Sequence, residues 1–484
     1  MGWPLTERDL KRYPHLDCPL PLSELIRVAS SPEEVAKHNF WPFLHYEKSW
    51  IRFREPGKSR AELRKSRLIR YAARKDSAIY SRYRALLSDR YEALLATKGL
   101  SDSVLAYRRI LKPGPGRGKT NVDFAFDAFQ KIQSIGACCA VALDIKGYFD
   151  NMDHNLLKSQ WSRVMGVERL PVDHFQVFRS VTKYASVDRD ALYARMGYLT
   201  IEPGRNGGQH KRWLIRRQDV PTQICTPETF RSLAAKEDAA GCVLIQVNTG
   251  GYGIPQGAPI SDILANIYLL DFDEEMLAFA KNAGGYYMRY SDDILILVPG
   301  GEKEGRAAAE FAGKTIRKFG DQIRIKDEKS EIIEYTVDPA RGLVARNVIK
   351  PGGKDGLEYL GFRFDGRNAY LRDATLSGVL RKMTKTVRRE ARQAVAEHPG
   401  RDQAFLEGEL LRCGIRQRFR QVRDFDEKQS KRRWTFHTYV RRAAKVFGRQ
   451  GQNFYRQTRN QVPVLRRLIS REIACALSRR SAVL

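Results

Sequence analysis

Cysteine is scarce, and what there is does not pair. Seven cysteines are spread over 484 residues, none at CxxC spacing, and the eight histidines do not fall near them at metal-ligand spacing. That excludes a zinc finger or ribbon and a disulfide framework, and points to thiols in a reducing compartment. The adjacent Cys138 and Cys139 lie in an apolar run and read as core packing. Long apolar runs are missing too. Stretches such as 135–143 are far too short to cross a bilayer, and no apolar segment follows a basic start, so no signal peptide, no membrane association and a cytoplasmic location are expected. Internal repeats and low-complexity tracts are absent. Negative charge is in short supply: 85 Lys and Arg stand against 56 Asp and Glu, a net of +29. The imbalance concentrates in residues 371–484, where 28 basic residues face 10 acidic ones, a net of +18. Such a surplus says nothing about fold, but it draws a chain to a polyanion and favours a nucleic-acid surface over a merely solvated face.

What is present suffices for a large core. Apolar residues make up 42% of the chain, and at roughly 100–200 residues per domain the length allows two to four packed units. Pro14, Pro19, Pro21 and Pro42 break up the first 50 residues. Residues 59–97 carry apolar and tyrosine side chains at three- and four-residue spacing, which predicts a helix. The string RRILKPGPGRGKT at 108–120 reads as a basic turn or hairpin loop. A helix over 122–134 and a strand over 137–145 follow. Residues 160–245 are hard to read; they contain a Gly-rich turn at 204–208 and a basic patch at 212–217. Beyond 246 come a Gly/Pro turn, a helix over 261–283, strands at 286–290 and 294–298, a helix over 302–319, and a strand pair with a Gly-rich turn at 352–356. After 371 the pattern is helical. Strands alternating with helices, followed by an all-helical basic tail, predict an α+β core with a separate helical module.

Two strings carry chemistry. In VALDIKGYFDN (141–151) an apolar strand delivers Asp144 at its end. In YYMRYSDDILILV (286–298) two apolar strands flank Ser291-Asp292-Asp293, which reads as a hairpin with two acids at its tip. Adjacent acids are common in turns, because Asp bonds nearby amides. Apolar strands on both sides would instead hold these acids at one edge of a buried sheet, where like charges are costly unless a cation offsets them. Three converging carboxylates suit hard, oxygen-liganded Mg²⁺, and a pair of such ions serves in-line displacement at phosphorus.

These residues resemble a known family. From about residue 67 to 364 the chain resembles the reverse transcriptases. The string DIKGYFD at 144–150 looks like the first catalytic motif, GIPQGAPIS at 253–261 like the PQG motif, and YSDD at 290–293 like the YxDD box. Lys329-Ser330 falls where the family has a lysine after the catalytic hairpin, and Leu360-Gly361-Phe362 looks like the LG motif of the primer grip. The resemblance implies a right-hand polymerase of α+β class, with fingers, palm and thumb and a basic all-helical C-terminal region. The expected divisions are an N-terminal extension (1–58), fingers (59–134), palm (135–160 and 246–370) with an insertion (161–245), and thumb plus RNA/DNA-binding region (371–484). It implies that Asp144, Asp292, Asp293 and the carbonyl of Ile145 bind two Mg²⁺ ions, and that Lys329 gives a proton to the leaving pyrophosphate. Phe149 falls at the steric-gate position, where a ring excludes a ribose 2′-hydroxyl. Gln256 would pack against the incoming nucleotide, Gly257 would allow close backbone approach, and Arg108 and Lys119 in the fingers loop would grip the triphosphate.

Within that family, no Cys/His endonuclease module, no NAxxH string and no VTG string is found. The stretch 67–91, with YAARKD at 71–76, and the helix from 261 look more like the bacterial defence-associated and abortive-infection enzymes. That likeness implies synthesis of DNA from dNTPs on an RNA template, often a dedicated non-coding RNA, in defence against phage. An untemplated or protein-primed polymerase and a non-catalytic, maturase-like RNA-binding protein stay open as alternatives, although the intact acids argue against the last. Self-association is left open. Trp434, Phe436, Tyr439, Phe447 and Tyr455 among arginines read either as stacking partners for RNA or as the core of a helical bundle.

Overall fold

A computed structural model describes the chain apart from residues 1–2, 52–56, 58, 60–61, 115–117, 204–208, 235, 238–242, 351, 353–354, 413–414, 416–418, 420–434 and 482–484. The Gly-rich turn at 204–208 and Trp434 therefore lie outside the described residues.

Two strands, β1 (Phe43–Ile51) and β2 (Arg64–Tyr71), form an antiparallel hairpin in which Leu44 faces Tyr71 and Ile51 faces Arg64. This corrects the helix read over 59–97, which is confined to Arg74–Thr97. Arg64, Lys65 and Arg67 of β2 are exposed, and pairing with β1 supplies its backbone partners, so tertiary context overrides a helix-like spacing. The hairpin also straddles the expected 58/59 division, and the helix His154–Met165 crosses the one at 160/161. A long helix, Asn121–Ile135, leads into β3 (Cys138–Asp144).

The hard-to-read segment contributes β4 (Ala185–Asp188), β5 (Leu199–Pro203), β6 (Gln209–Trp213) and β7 (Ile245–Val247). β5 and β6 pair with each other, while β4 adds in parallel to β1 and β7 adds to β4, giving a sheet ordered β2-β1-β4-β7. Its small core includes Leu16, Leu44, Val187, Leu192 and Phe230, so the insertion is welded to the hairpin and to the N-terminal segment.

The central sheet is built from β3, β8 (Tyr286–Tyr290), β9 (Asp293–Pro299), β10 (Glu331–Asp338) and β11 (Gly342–Asn347), ordered β11-β10-β3-β9-β8 and antiparallel throughout. One face packs Val141, Leu143, Ile294 and Ile296 against helices Ser261–Tyr268 and Leu270–Asn282; the single helix expected over 261–283 breaks at Leu269. The other face packs Ala140, Leu295, Leu297 and Tyr335 against helix Asn121–Ile135 and a three-stranded sheet of β12 (Leu357–Tyr359), β13 (Phe362–Phe364) and β14 (Ala369–Leu371). Burial on both faces explains why β3 and β9 read as unbroken apolar runs. Helices Asp373–Glu397, Gln403–Arg412, Phe436–Phe447, Gln452–Thr458 and Gln461–Ser481 complete the chain. Of the tail aromatics, Phe447 is buried in the core, Phe436 and Tyr439 pack against it, and Tyr455 is exposed. The architecture is the α+β right-hand arrangement that the resemblance implies. Among the described residues, no helix is long and apolar enough to cross a membrane.

Candidate active site

Register brings the distant acids together. β3 and β9 pair so that Asp144 lies directly opposite Asp293. Tyr290 pairs with Asp293 across the β8–β9 hairpin, leaving Ser291-Asp292 as a two-residue turn. Ser291 takes φ +60°, the left-handed conformation that such hairpin turns use to follow the strand twist. The amide of Ile145 donates to the Asp292 carbonyl at 3.1 Å, which ties this turn to the end of β3. Apolar strands thus carry three carboxylates to one edge of the central sheet. Asp293 is reachable from solvent yet crowded by protein, and burial, Asp292 and Asp144, in that order, push its carboxyl up to about 6.

A second lysine joins the first at Asp144. Segment 324–326 runs beside 144–146: Lys146 N–H donates to the Arg324 carbonyl and Lys326 N–H to that of Asp144, both at 2.8 Å. In consequence Lys326 Nζ reaches Asp144 Oδ1 and Lys329 Nζ reaches Oδ2, each at 2.6 Å. Lys329 was anticipated from its place after the hairpin; Lys326 was not, because its approach depends on the pairing of two segments 180 residues apart. Among the described residues no group of three or more His, Cys, Asp or Glu side chains stands ready to hold a metal ion; both oxygens of Asp144 are held by lysines. The donor chemistry nevertheless fits a hard divalent cation. Three carboxylates share one edge, one of them is held protonated to unusually high pH by its neighbours, and positive charge is already drawn to Asp144.

The other anticipated residues divide. Phe149, half-buried, packs beside Tyr148 with ring centroids 5.8 Å apart, and its carbonyl accepts from the Ile254 amide at 2.8 Å. That bond joins the first motif to the Pro-Gln-Gly loop. The Gln256 carbonyl accepts from the Arg70 amide at 2.9 Å. Gly257 has φ +117°, and a Cβ there would stand 2.4 Å from the Arg70 carbonyl oxygen. Its close backbone approach is therefore to β2, so this glycine clamps the loop to the hairpin. Arg108 is not brought to the acids. Its guanidinium pairs with Glu92 at 2.6 Å and donates to the Ser101 and Val104 carbonyls, and the side chain is only 5% exposed. Lys119 pairs with Asp127 at 2.8 Å and lines a small cleft with Phe124 and Met288. Both readings of a triphosphate grip came from loop composition, which does not show where a side chain is already committed.

Residues 228–364 match the family described as reverse transcriptase (RNA-dependent DNA polymerase). This segment is of the reverse transcriptase family. It contains the Pro-Gln-Gly loop, the Asp292-Asp293 hairpin and Leu360-Gly361-Phe362. Asp144 lies upstream of it, and the pairing of β3 with β9 brings that acid to the reverse transcriptase hairpin. Among curated proteins, Retron Ec83 reverse transcriptase of Escherichia coli is 34% identical over 80 residues. The match covers 16% of this chain and 26% of that protein, so the chain spans about a quarter of the relative's length. Among solved structures, telomerase from Candida albicans in complex with a fragment of telomeric RNA aligns over 94% of this chain and 65% of its own, at 10% identity and a TM-score of 0.39. Apo telomerase from Candida tropicalis, truncated from its C-terminal domain, aligns over 64% and 54% at 12% identity and a TM-score of 0.36.

Proposed function

We propose that the chain is an RNA-directed DNA polymerase that extends a primer with dNTPs. The observation that carries this reading is the strand register that sets Asp144 opposite Asp293, with Asp292 on the adjoining turn. Asp144, Asp292, Asp293 and the Ile145 carbonyl would hold two Mg²⁺ ions, whose charge would favour ionisation of the primer 3′-hydroxyl and offset that of the triphosphate. Lys329, already at Asp144, would supply a proton to the departing pyrophosphate. Phe149 would bar a ribose 2′-hydroxyl, and Gln256 would face the nucleotide from the loop pinned to β2. The hairpin of β1 and β2 with the insertion would serve as fingers, the central sheet as palm, and the helices after 371 as thumb and RNA-binding region. The Escherichia coli relative is named a retron reverse transcriptase, which supports RNA-templated synthesis. The +18 surplus of residues 371–484 supports a bound RNA, and we read it as a dedicated non-coding RNA used in antiphage defence in the cytoplasm.

Primer extension on RNA templates tests this. Asp292→Asn and Asp293→Asn should abolish incorporation and leave RNA affinity unchanged. Loss of RNA binding along with activity would show the acids to be structural. Sequencing the product decides the template question: a complement of the bound RNA supports the reading, and DNA unrelated to it means untemplated synthesis.

A further inference from the structure

Non-glycine residues with positive φ are rare, and among the described residues there are three: Tyr107 at +65°, Ser291 at +60° and Leu360 at +46°. Two of the three touch. Tyr107 Oη lies 3.0 Å from Ser291 Oγ, although 184 residues separate them. Backbone held in such a conformation persists only where its surroundings over-determine it, and it gathers at functional sites.

The surroundings here do so from both sides. Behind the turn, Arg289 and Asp273 form an ion pair in which neither side chain is exposed, and a second guanidinium nitrogen of Arg289 donates to the Ser291 carbonyl at 3.1 Å. In front, the segment leading to Tyr107 is fixed residue by residue. It runs parallel to β8 through Arg289 N–H to the Ser103 carbonyl and Leu105 N–H to the Arg289 carbonyl. Asn266 Nδ2 donates to the Ala106 carbonyl at 2.9 Å, and Arg84, itself paired with Asp262, donates to that of Tyr107 at 3.3 Å. Arg108, committed to Glu92, ties down the same segment. A surface tyrosine would not need this anchoring to bury half a ring.

We infer that Tyr107 is a positioning residue for Asp292: its hydroxyl seats Ser291 from the cleft side while Arg289 seats the Ser291 carbonyl from the core side, so the turn presents Asp292 beside Asp144 and Asp293. This assignment rests on the polymerase reading for its kinetic consequence, not for its geometry. A lost partner one shell out from a ligand typically weakens cation binding or rate about 10- to 100-fold.

The experiment compares the full-length chain with Tyr107→Phe, Ser291→Ala, the double variant, and Tyr80→Phe, which deletes a buried hydroxyl bonded to Ser180 in a distant helix pair. In primer extension, Tyr107→Phe and Ser291→Ala should each lower kcat about tenfold with the dNTP KM unchanged, and the double variant should be no slower than either single, since one bond is removed once. Tyr80→Phe should keep wild-type kcat. The second readout is Mn²⁺ affinity of the free chain, followed by electron paramagnetic resonance, and it should weaken severalfold in the two single variants and to the same extent in the double variant, but not in Tyr80→Phe. Equal Mn²⁺ affinity in all five proteins, or multiplicative losses in the double variant, would overturn the assignment. A wild-type chain that binds Mn²⁺ yet incorporates nothing would overturn the polymerase reading while the Mn²⁺ comparison still decided the role of Tyr107.

Discussion

Phe149 stands five positions after Asp144, its ring held against Tyr148 and its carbonyl bonded to Ile254. A ring packed against its neighbour on a bonded backbone makes a wall, and a wall discriminates against an added hydroxyl by collision. Phe149→Ala should therefore relax discrimination against ribonucleotides, by about 10- to 200-fold if the pocket behaves like other shape-selected ones. Competition between dGTP and GTP on one template measures it, and unchanged selectivity would remove Phe149 from the sugar pocket. The three acids were legible in the sequence because each sits beside an apolar run, and apolar runs imply strands whose ends are fixed. Lys326, Tyr107 and Arg289 were not legible. Their partners lie 182, 184 and 16 residues away, and nothing in their local composition marks them. Arg108 shows the converse: a basic, Gly- and Pro-rich loop suggested phosphate, and its local composition did not reveal that Glu92 already pairs with it.

At the scale of elements, two joints deserve a test because each fastens the hairpin of β1 and β2 to something else. One is the Pro-Gln-Gly loop. Gly257→Ala would combine a positive φ with a Cβ 2.4 Å from a backbone oxygen, and that oxygen belongs to paired β2 and cannot swing away. We expect a loss of about 1–3 kcal/mol in unfolding free energy and a raised dNTP KM; wild-type values for both would mean the clamp is loose. The other joint is His15, fully buried, which bonds the insertion through the Thr222 carbonyl and the Ile224 amide. Its Nδ1 accepts from the Leu16 amide at 2.8 Å, so Nε2 carries the proton and meets the Tyr71 carbonyl at 3.2 Å. Burial, opposed by the bond to Tyr71 and aided by Arg74, brings its pKa down to about 3; Tyr13 also packs against the ring, and Asp17, at 3.9 Å, is itself paired with Arg74. The unfolded chain binds this proton more readily, so stability should hold above about pH 6.5 and fall below it at about 1.4 kcal/mol per pH unit. In urea unfolding at pH 7 and 5, His15→Gln should lose less between the two than the wild type does. Equal losses would mean that His15 is not the titrating group. Neither joint could be read from the sequence. A strand as basic as β2 matches helical spacing, and an insertion whose strands pair with β1 shows its pattern only once that partner is in place.

For the molecule as a whole, the charge asymmetry was the most legible feature, since a sum of charges does not depend on the fold. The structure adds where part of that charge sits. Along helix Asp373–Glu397, Met383, Val387, Ala391 and Ala394 face the core, while Lys382, Lys385, Arg389 and Arg392 recur at three- and four-residue spacing among exposed positions. Four basic residues on one face over about three turns match the phosphates of a strand better than any point ligand. The same helix touches the hairpin, where Arg381 donates to the Ile51 carbonyl, so the basic face is anchored at one end to the element that would guide a template. Each phosphate contact releases counterions and contributes about −0.7 for single-stranded or −0.9 for duplex nucleic acid to the slope of log affinity against log salt. Replacing Lys382, Lys385 and Arg392 together by Gln should make that slope shallower by about 2 to 3, with sequence preference unaltered. Arg389 is left in place because it is already paired with Glu390. Fluorescence anisotropy of a labelled RNA between 50 and 300 mM salt measures the slope. Parallel lines for the variant and the wild type would mean that this face meets solvent, and that the RNA, if bound, lies elsewhere on the chain.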